Sequence, residues 1–409
     1  MAEDRLVEVR VKGLRTLADV RLRLGGLTVL LGENGAGKSS LIEVFELLRK
    51  AAEPNYVQNL GAHGGLPLLL RQGAADLEIG VRIEGAGDPI DYRFAIAFEG
   101  NQVVVVREAM DLGPRPGHAD ALEVIRRTRA SNSVVFDQQT RQRVPISIDP
   151  GALLVSAFGV LPPQEAIGRT VAVLRRVDVH VPFDVRALWV CKERGWTAPL
   201  RDPSLIEPAV SLARVGDNLA NAFHSLKNEQ SKQHWDETMD LVRLGLGQDV
   251  ASINTQTAAG GGQIALSMEL RGLGKQIPAA AMADGSLAYL AFIALARLGP
   301  PRSLLAFDEP ELHLHPRLLV RVLGLFESLA RKGPVVLATQ SDRLLDALSD
   351  PVASAVLCRV SSDGGPSPRW ATELARPNAE ALAKWLERYR GLGELRGVGA
   401  EDLVMTEAS

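Results

Sequence analysis

Apolar and polar residues alternate from the start of the chain through Leu6, Val7, Val9 and Val11, turn near Gly13, and resume at Val20, Leu22 and Leu24 before Gly25-Gly26. A period of two marks strands with one covered face, so this stretch predicts a β-hairpin. The next apolar run, Leu27-Thr28-Val29-Leu30-Leu31, does not alternate, as expected of a strand covered on both faces in a parallel sheet. A glycine-rich loop and a helix follow, with Leu41, Phe45 and Leu48 on one helical face.

Alternation returns between Asp76 and Arg107 in Leu77-Glu78-Ile79-Gly80-Val81 and Tyr92-Arg93-Phe94-Ala95-Ile96, with turns at Gly85, Gly87 and Pro89. An antiparallel meander accounts for it. Glycine, proline and arginine from Gly113 to Pro150 predict surface loops with short strands. Helical spacing then dominates Gly151 to Gln248, broken by Pro162-Pro163, Pro203 and Pro208. Ala258-Ala259-Gly260-Gly261-Gly262 predicts a turn before a strand pair, Gln263 to Leu270 and Lys275 to Pro278. Leu304 to Asp308 and Val335 to Gln340 are again unalternating runs, separated by a helical pattern at Leu318, Leu319, Val322, Leu325, Phe326 and Leu329, which returns the chain to α/β order. Asn378 is placed to cap a final amphipathic helix carrying Leu382, Trp385 and Tyr389. This gives an N-terminal half (1–112), an inserted, mainly helical lobe (113–262), a C-terminal half (263–350) and a strand and helix extension (351–409).

Composition narrows the class. The 409 residues are 46% hydrophobic, enough for a sizeable core. The start lacks an export pattern, and the most apolar later stretch, Leu287 to Leu298, contains Arg297 and is too short to span a bilayer, so a cytoplasmic protein away from membranes is expected. Cys191 and Cys358 are far apart and suggest core thiols, not a disulfide framework or zinc site. A net charge of −3 gives no global pull toward nucleic acid. The one basic stretch, Arg126, Arg127, Arg129, Arg141 and Arg143, is either a solvated surface or a phosphate-tracking face.

Two segments carry chemistry. Gly32-Glu33-Asn34-Gly35-Ala36-Gly37-Lys38-Ser39, followed by Ser40, fits GxxxxGK[ST] between a buried strand and a helix, the Walker A arrangement. Backbone N–H groups in such a loop wrap phosphates, Lys38 reaches the outer ones, and the Ser39 hydroxyl can ligate Mg2+. The second segment, Leu304-Leu305-Ala306-Phe307-Asp308-Glu309-Pro310-Glu311, is an apolar strand ending in acids. Here Asp308 is the Mg2+ candidate and Glu309 the carboxylate that polarises an attacking water. The cofactors expected are therefore ATP and Mg2+.

These residues resemble the ABC-type ATPases of the RecF, SMC and overcoming-lysogenization-defect kind, especially stand-alone bacterial AAA-ATPase-like proteins. The resemblance covers most of the chain. It rests on GENGAGKSS, on MADGSLAYLAFIALA as a signature segment, on AFDEPELHLHP as Walker B with its D-loop, on VVLATQSDRLLDAL as the switch segment and on the closing AKWLERYRGLGEL. It implies an α/β, ABC-type P-loop NTPase head with a mixed sheet, an antiparallel meander and a helical insertion lobe. It also implies a head-to-tail homodimer in which the signature helix start, Asp284-Gly285-Ser286, receives the terminal phosphate bound by the partner's Walker A.

Two positions depart from the family pattern. Ala283 stands where the signature serine is usual, and Gln340 where the switch histidine is, so Gln340 can donate a hydrogen bond to phosphate but carries no charge. Slow hydrolysis is the expected result. His313 and His315 match the D-loop, Gln72 and Gln164 are alternatives for the Mg2+-sensing glutamine, and Arg15 resembles an arginine found near the nucleotide. The span from Lys38 to Asp308 holds a compact lobe but not long coiled-coil arms, and neither a zinc hook nor a Toprim acidic cluster is present. Three functions fit: a dimeric ATPase acting with DNA or an effector in repair or antiviral defence; a nucleotide-sensing regulatory or scaffold subunit with negligible turnover that controls a nuclease or toxin; or, less well matched by ELHLHP and the inserted strands, a transporter motor.

Overall fold

The computed structural model describes residues 3–85, 87–113, 121–129, 132–137, 141–157, 164–257, 262–272, 274–362 and 370–394. Along the chain the strands are β1 (Arg5–Leu14), β2 (Leu17–Arg23), β3 (Leu27–Leu31), β4 (Leu77–Glu84), β5 (Ile90–Glu99), β6 (Gln102–Leu112), β7 (Leu122–Arg129), β8 (Asn132–Asp137) and β9 (Gln142–Pro145). They continue with β10 (Val177–His180), β11 (Ser204–Leu205), β12 (Val250–Thr257), β13 (Gln263–Leu270), β14 (Gln276–Pro278), β15 (Leu304–Asp308), β16 (Val335–Thr339), β17 (Ala355–Ser362) and β18 (Trp370–Ala375).

They form three sheets. The first is antiparallel, in the order β2-β1-β4-β5-β6-β7-β8-β9. The second runs β10-β15-β16-β3-β17-β18 and is parallel except for β18. The third pairs β11, β13 and β12, with β14 also on β13. The N-terminal hairpin, the meander and the unalternating β3 are all as the residue pattern predicts. The short strands expected between Gly113 and Pro150 are β7, β8 and β9, and they extend the antiparallel sheet past residue 112 into the segment 113–262 expected to be a mainly helical lobe. The α-helices described within 113–262 are Glu165–Arg175, Leu188–Glu193, Leu219–Asn228 and Lys232–Leu246.

The Walker A helix, Lys38–Lys50, is covered on most of its circumference, with Leu41, Ile42, Val44, Phe45, Leu47 and Leu48 all buried. It lies in a core made by the antiparallel sheet and one face of the parallel sheet, the face of Leu30, Ala306, Val336, Ala338 and Val356. The opposite face, with Val29, Leu31, Leu305, Phe307 and Leu337, builds a second core. The period-two alternation of β3 thus divides Leu30 from Val29 and Leu31, and both sides are apolar because both are covered. Asp284–Arg297 fills the second core, buried at every residue from Leu287 to Leu295, which explains its lack of a polar face.

The arginine-rich stretch is not one surface. Arg127 is 2% exposed and donates to the carbonyls of Ala152 and Pro150, while Arg126 and Arg143 pair with Glu123. Asn378 caps the last helix, Ala379–Glu394, its side chain accepting from the Ala381 N–H, and Leu382 is buried. Pro162, Pro163, Ala258 to Gly261 and Leu395 lie outside the described residues, as do the Tyr389 and Arg129 side chains. No helix among the described residues is long and apolar enough to cross a membrane.

Candidate nucleotide site

Three adjacent parallel strands, β15, β16 and β3, end at the same edge, and each is followed by a chemically loaded loop. Ligands of α/β sheets bind at such an edge. The loop after β3 needs its glycines. Gly35 and Gly37 have φ of 81° and 88°, the left-handed region in which a side chain is strained. A Cβ on Gly37 would stand 2.4 Å from Thr372 Oγ1, and one on Gly32 would stand 2.3 Å from the Cys358 carbonyl oxygen. The loop is therefore held tightly from β17 and β18.

Lys38 is buried and folds over its own loop, donating to the carbonyls of Gly32 at 2.7 Å and Glu33 at 2.9 Å. Burial lowers its pKa, opposed by the nearby Cys358, Asp308, Glu309 and Glu311. Ser39 and Asp308 meet: the serine hydroxyl hydrogen-bonds the carboxylate. Burial raises the pKa of Asp308, with the charge of Glu309 adding to the rise, while the Ser39 bond and Lys38 oppose it. Its Oδ1 is buried without a hydrogen-bond partner. A hard cation takes oxygen ligands of this kind, so Ser39 and Asp308 fit the Mg2+ role. Among the described residues, no cluster of three or more His, Cys, Asp or Glu could hold a metal unaided.

Glu309 turns sharply away from the strand. Its φ is 48°, its N–H donates to the Ala338 carbonyl at 2.7 Å, and its Oε1 accepts from Gln340 Nε2 at 2.9 Å. Strain of this kind persists where the surrounding structure over-determines it, and it clusters at functional sites. Of the five non-glycine residues with positive φ among those described, Arg15, Glu309 and His313 belong to segments the sequence reading connects with the nucleotide. The Thr339 hydroxyl donates to Glu311 Oε1 and accepts from the Ser341 N–H, tying the Walker B and switch loops together. Burial raises the pKa of Glu311 in turn.

The structure thus brings together Gly32 to Ser40, Asp308, Glu309 and Gln340. Asp284, Gly285 and Ser286 stand elsewhere, beside the D-loop, where a Cβ on Gly285 would lie 3.1 Å from the His313 carbonyl oxygen. Ala283 and Asp284 are exposed, so this helix start is open to solvent. His315 Nδ1 accepts from the Arg317 N–H and caps the following helix. Gln72 is exposed, whereas Gln164 is buried with neither amide atom hydrogen-bonded. Arg15 is ion-paired to Glu43 on the Walker A helix.

Sequence reasoning missed Arg201. Buried among the loops before the signature helix, it donates to the carbonyls of Val185, Arg186, Ala279, Ala280 and Met282 and pairs with the Asp284 carboxylate. No local motif surrounds it. Thr16 and Thr372 were missed likewise; they bond to each other at 2.8 Å and press on Gly37.

The sequence model of the family described as "AAA domain, putative AbiEii toxin, Type IV TA system" matches residues 27–155 and 191–346. No curated protein matches the chain. Among solved structures it is similar to the SMC head in "Crystal structure of the SmcHead bound to the C-winged helix domain of ScpA", at 13% identity and a TM-score of 0.52, over 93% of this chain and 99% of that one. A Smc head domain with an extended coiled coil, bound to the C-terminal domain of ScpA derived from Pyrococcus furiosus, gives 11% identity and a TM-score of 0.46 over 95% and 100% of the two chains. The SMC head domain from Thermotoga maritima gives 11% and 0.44 over 92% and 100%.

Proposed function

We propose a function from one premise: the chain belongs to this AAA-domain family, as an ABC-type ATPase of the RecF and SMC group. Membership supports nucleotide binding. Beyond it, our reading is that the protein binds ATP with Mg2+, closes into a head-to-tail homodimer, hydrolyses ATP slowly, and uses that cycle to act with nucleic acid or an effector protein. The observation that carries it is the convergence of Lys38, Ser39, Asp308, Glu309 and Gln340 at one sheet edge.

In this reading the N–H groups of the Gly32–Ser40 loop and the helix start bind the phosphates. Lys38 leaves its two loop carbonyls for the outer phosphate oxygens. Ser39 and Asp308 would hold Mg2+, whose chemistry is to neutralise charge on those oxygens. Glu309, kept out of the metal pair by its left-handed turn, accepts the proton of the attacking water, and Gln340 orients it. The open starts at Asp284, Gly285 and Ser286 serve the partner protomer's phosphate. The family description names a toxin and a type IV TA system, which favours a toxin as the effector class in our reading; DNA repair or antiviral defence is the setting we propose for it.

A second reading, a nucleotide sensor without turnover, is favoured by Gln340, whose uncharged amide engages Glu309. One experiment separates the two: ATP turnover by wild-type and Glu309→Gln protein across protein concentrations, with and without double-stranded DNA, alongside light scattering. The ATPase reading expects the rate per subunit to rise with concentration and to fall by about a hundredfold or more in the variant. Tight ATP binding without turnover would replace it with the sensor; a monomer at saturating ATP would remove the dimer.

A further inference from the structure

We infer that Trp370 is the platform on which the purine base of the bound nucleotide stacks, so that β18 supplies the nucleoside half of the site; the inference rests on the ATP-binding reading above. The position follows from strand geometry. In β18 the alternate residues Leu374, Thr372 and Trp370 share one face. Leu374 packs against the first core, and buried Thr372 sets its hydroxyl against Gly37, at the start of the Walker A helix. Trp370 continues that inward stripe about 7 Å further along and emerges from the protein, 55% exposed. This inward-facing stripe thus ends in an uncovered indole one step beyond the phosphate loop.

Two further contacts fix the platform to that loop. The Thr372 N–H donates to the Thr16 carbonyl at 2.8 Å, tying β18 to the β1–β2 turn. Arg71 bridges the same two elements, donating to the carbonyls of Arg15 and Trp370. Arg15 in turn reaches Glu43 on the Walker A helix. The β1–β2 turn, the start of β18 and the start of the Walker A helix are therefore one connected assembly. With its phosphates on the loop at Gly37 to Ser40, a nucleoside triphosphate would leave its ribose and base outside the loop, and Trp370 is the exposed aromatic side chain on the β18 side of it. An exposed indole stacks on any base through its π-face, and its large area suits a purine.

Calorimetric binding of ATP and of inorganic tripolyphosphate to wild-type, Trp370→Phe and Trp370→Ala protein tests this, with thermal melts to verify folding. The expected result is a loss of ATP affinity between about fivefold and about a hundredfold in Trp370→Ala, most of it restored in Trp370→Phe, and unchanged tripolyphosphate binding in both. Unchanged ATP affinity in Trp370→Ala overturns the platform and leaves the ATP site standing. Equal losses for ATP and tripolyphosphate also overturn it, since Trp370 would then support the loop and not the base. Wild-type protein that binds neither ligand refutes the nucleotide reading itself.

Discussion

Gly37→Ala tests whether the phosphate loop is shaped by β18 or only by its own glycines. At φ 88° an alanine is in the left-handed region, costing about 1 to 2 kcal/mol. Its Cβ would also stand 2.4 Å from Thr372 Oγ1 and 3.1 Å from both Thr16 Oγ1 and Leu17 Cδ2. Thr372 cannot swing away freely, because it is buried and bonded to Thr16 at 2.8 Å. Overpacking of this kind costs about 1 to 3 kcal/mol, so the single variant should lose about 2 to 5 kcal/mol. Thr372→Ala alone should lose about 1 kcal/mol with its hydrogen bond. In the double variant the closest overlap, with Thr372 Oγ1, is removed while the two 3.1 Å contacts and the backbone strain remain, so its loss should fall below the sum of the single losses by about 1 to 2 kcal/mol. Urea denaturation of the four proteins gives the coupling, and ATP binding should recover in parallel. Additivity within about 0.5 kcal/mol would refute the claim that β18 constrains the loop.

Other expectations follow from the site's surroundings. Arg201→Met strands five carbonyls and the Asp284 carboxylate and should cost about 3 kcal/mol or more by urea denaturation, whereas Asp284→Asn, which spares the carbonyl bonds, should cost less than about 1 kcal/mol; equal costs would contradict the clamp. Burial pushes Asp178 up, but His180 and Arg302 outweigh it and hold the carboxyl at about 2, below its ordinary 3.8. Its stabilisation is therefore present above about pH 4 and lost as pH falls toward 2, so wild-type protein should lose about 1 kcal/mol more than Asp178→Asn between pH 5 and pH 3. Cys358, its thiol pushed up to about 12 by burial, should resist maleimide labelling at pH 8 until denaturant is added; labelling of the native protein would place it at the surface.

How far the residues disclose the fold depends on the range of the forces involved. The hairpin, β3 and the Walker segments are legible because their signals are local: a period of two, an uninterrupted apolar run, glycines at fixed offsets. The strands β7 and β9 show in the sequence only as short strands among loops, since arginines occupy positions where apolar residues mark alternation, and buried Arg127 donates to carbonyls supplied from 150 and 152. Strand β10 hides for a related reason. Asp178 and His180 make Val177–His180 look polar, yet Asp178 is neutralised by Arg302, and His180 is wholly buried, stacked on Phe307. In the candidate site, Lys38, Ser39, Asp308 and Glu309 announce themselves by spacing. Arg201, Thr16, Thr372 and Arg71 do not, because each acts across a large gap in the chain.

The placement of β3 has a consequence for biosynthesis. Its neighbours in the sheet are β16 and β17, at residues 335–339 and 355–362, while β3 itself spans 27–31. On a ribosome adding about 5 to 20 residues per second, Leu27-Thr28-Val29-Leu30-Leu31 waits on the order of 15 to 60 s for a hydrogen-bonding partner. Throughout that interval a short apolar strand with two open edges is exposed to other nascent chains. The nucleotide cradle is thus a late product of translation, and a holdase acting on the first fifty residues would protect the very segment that later grips phosphate.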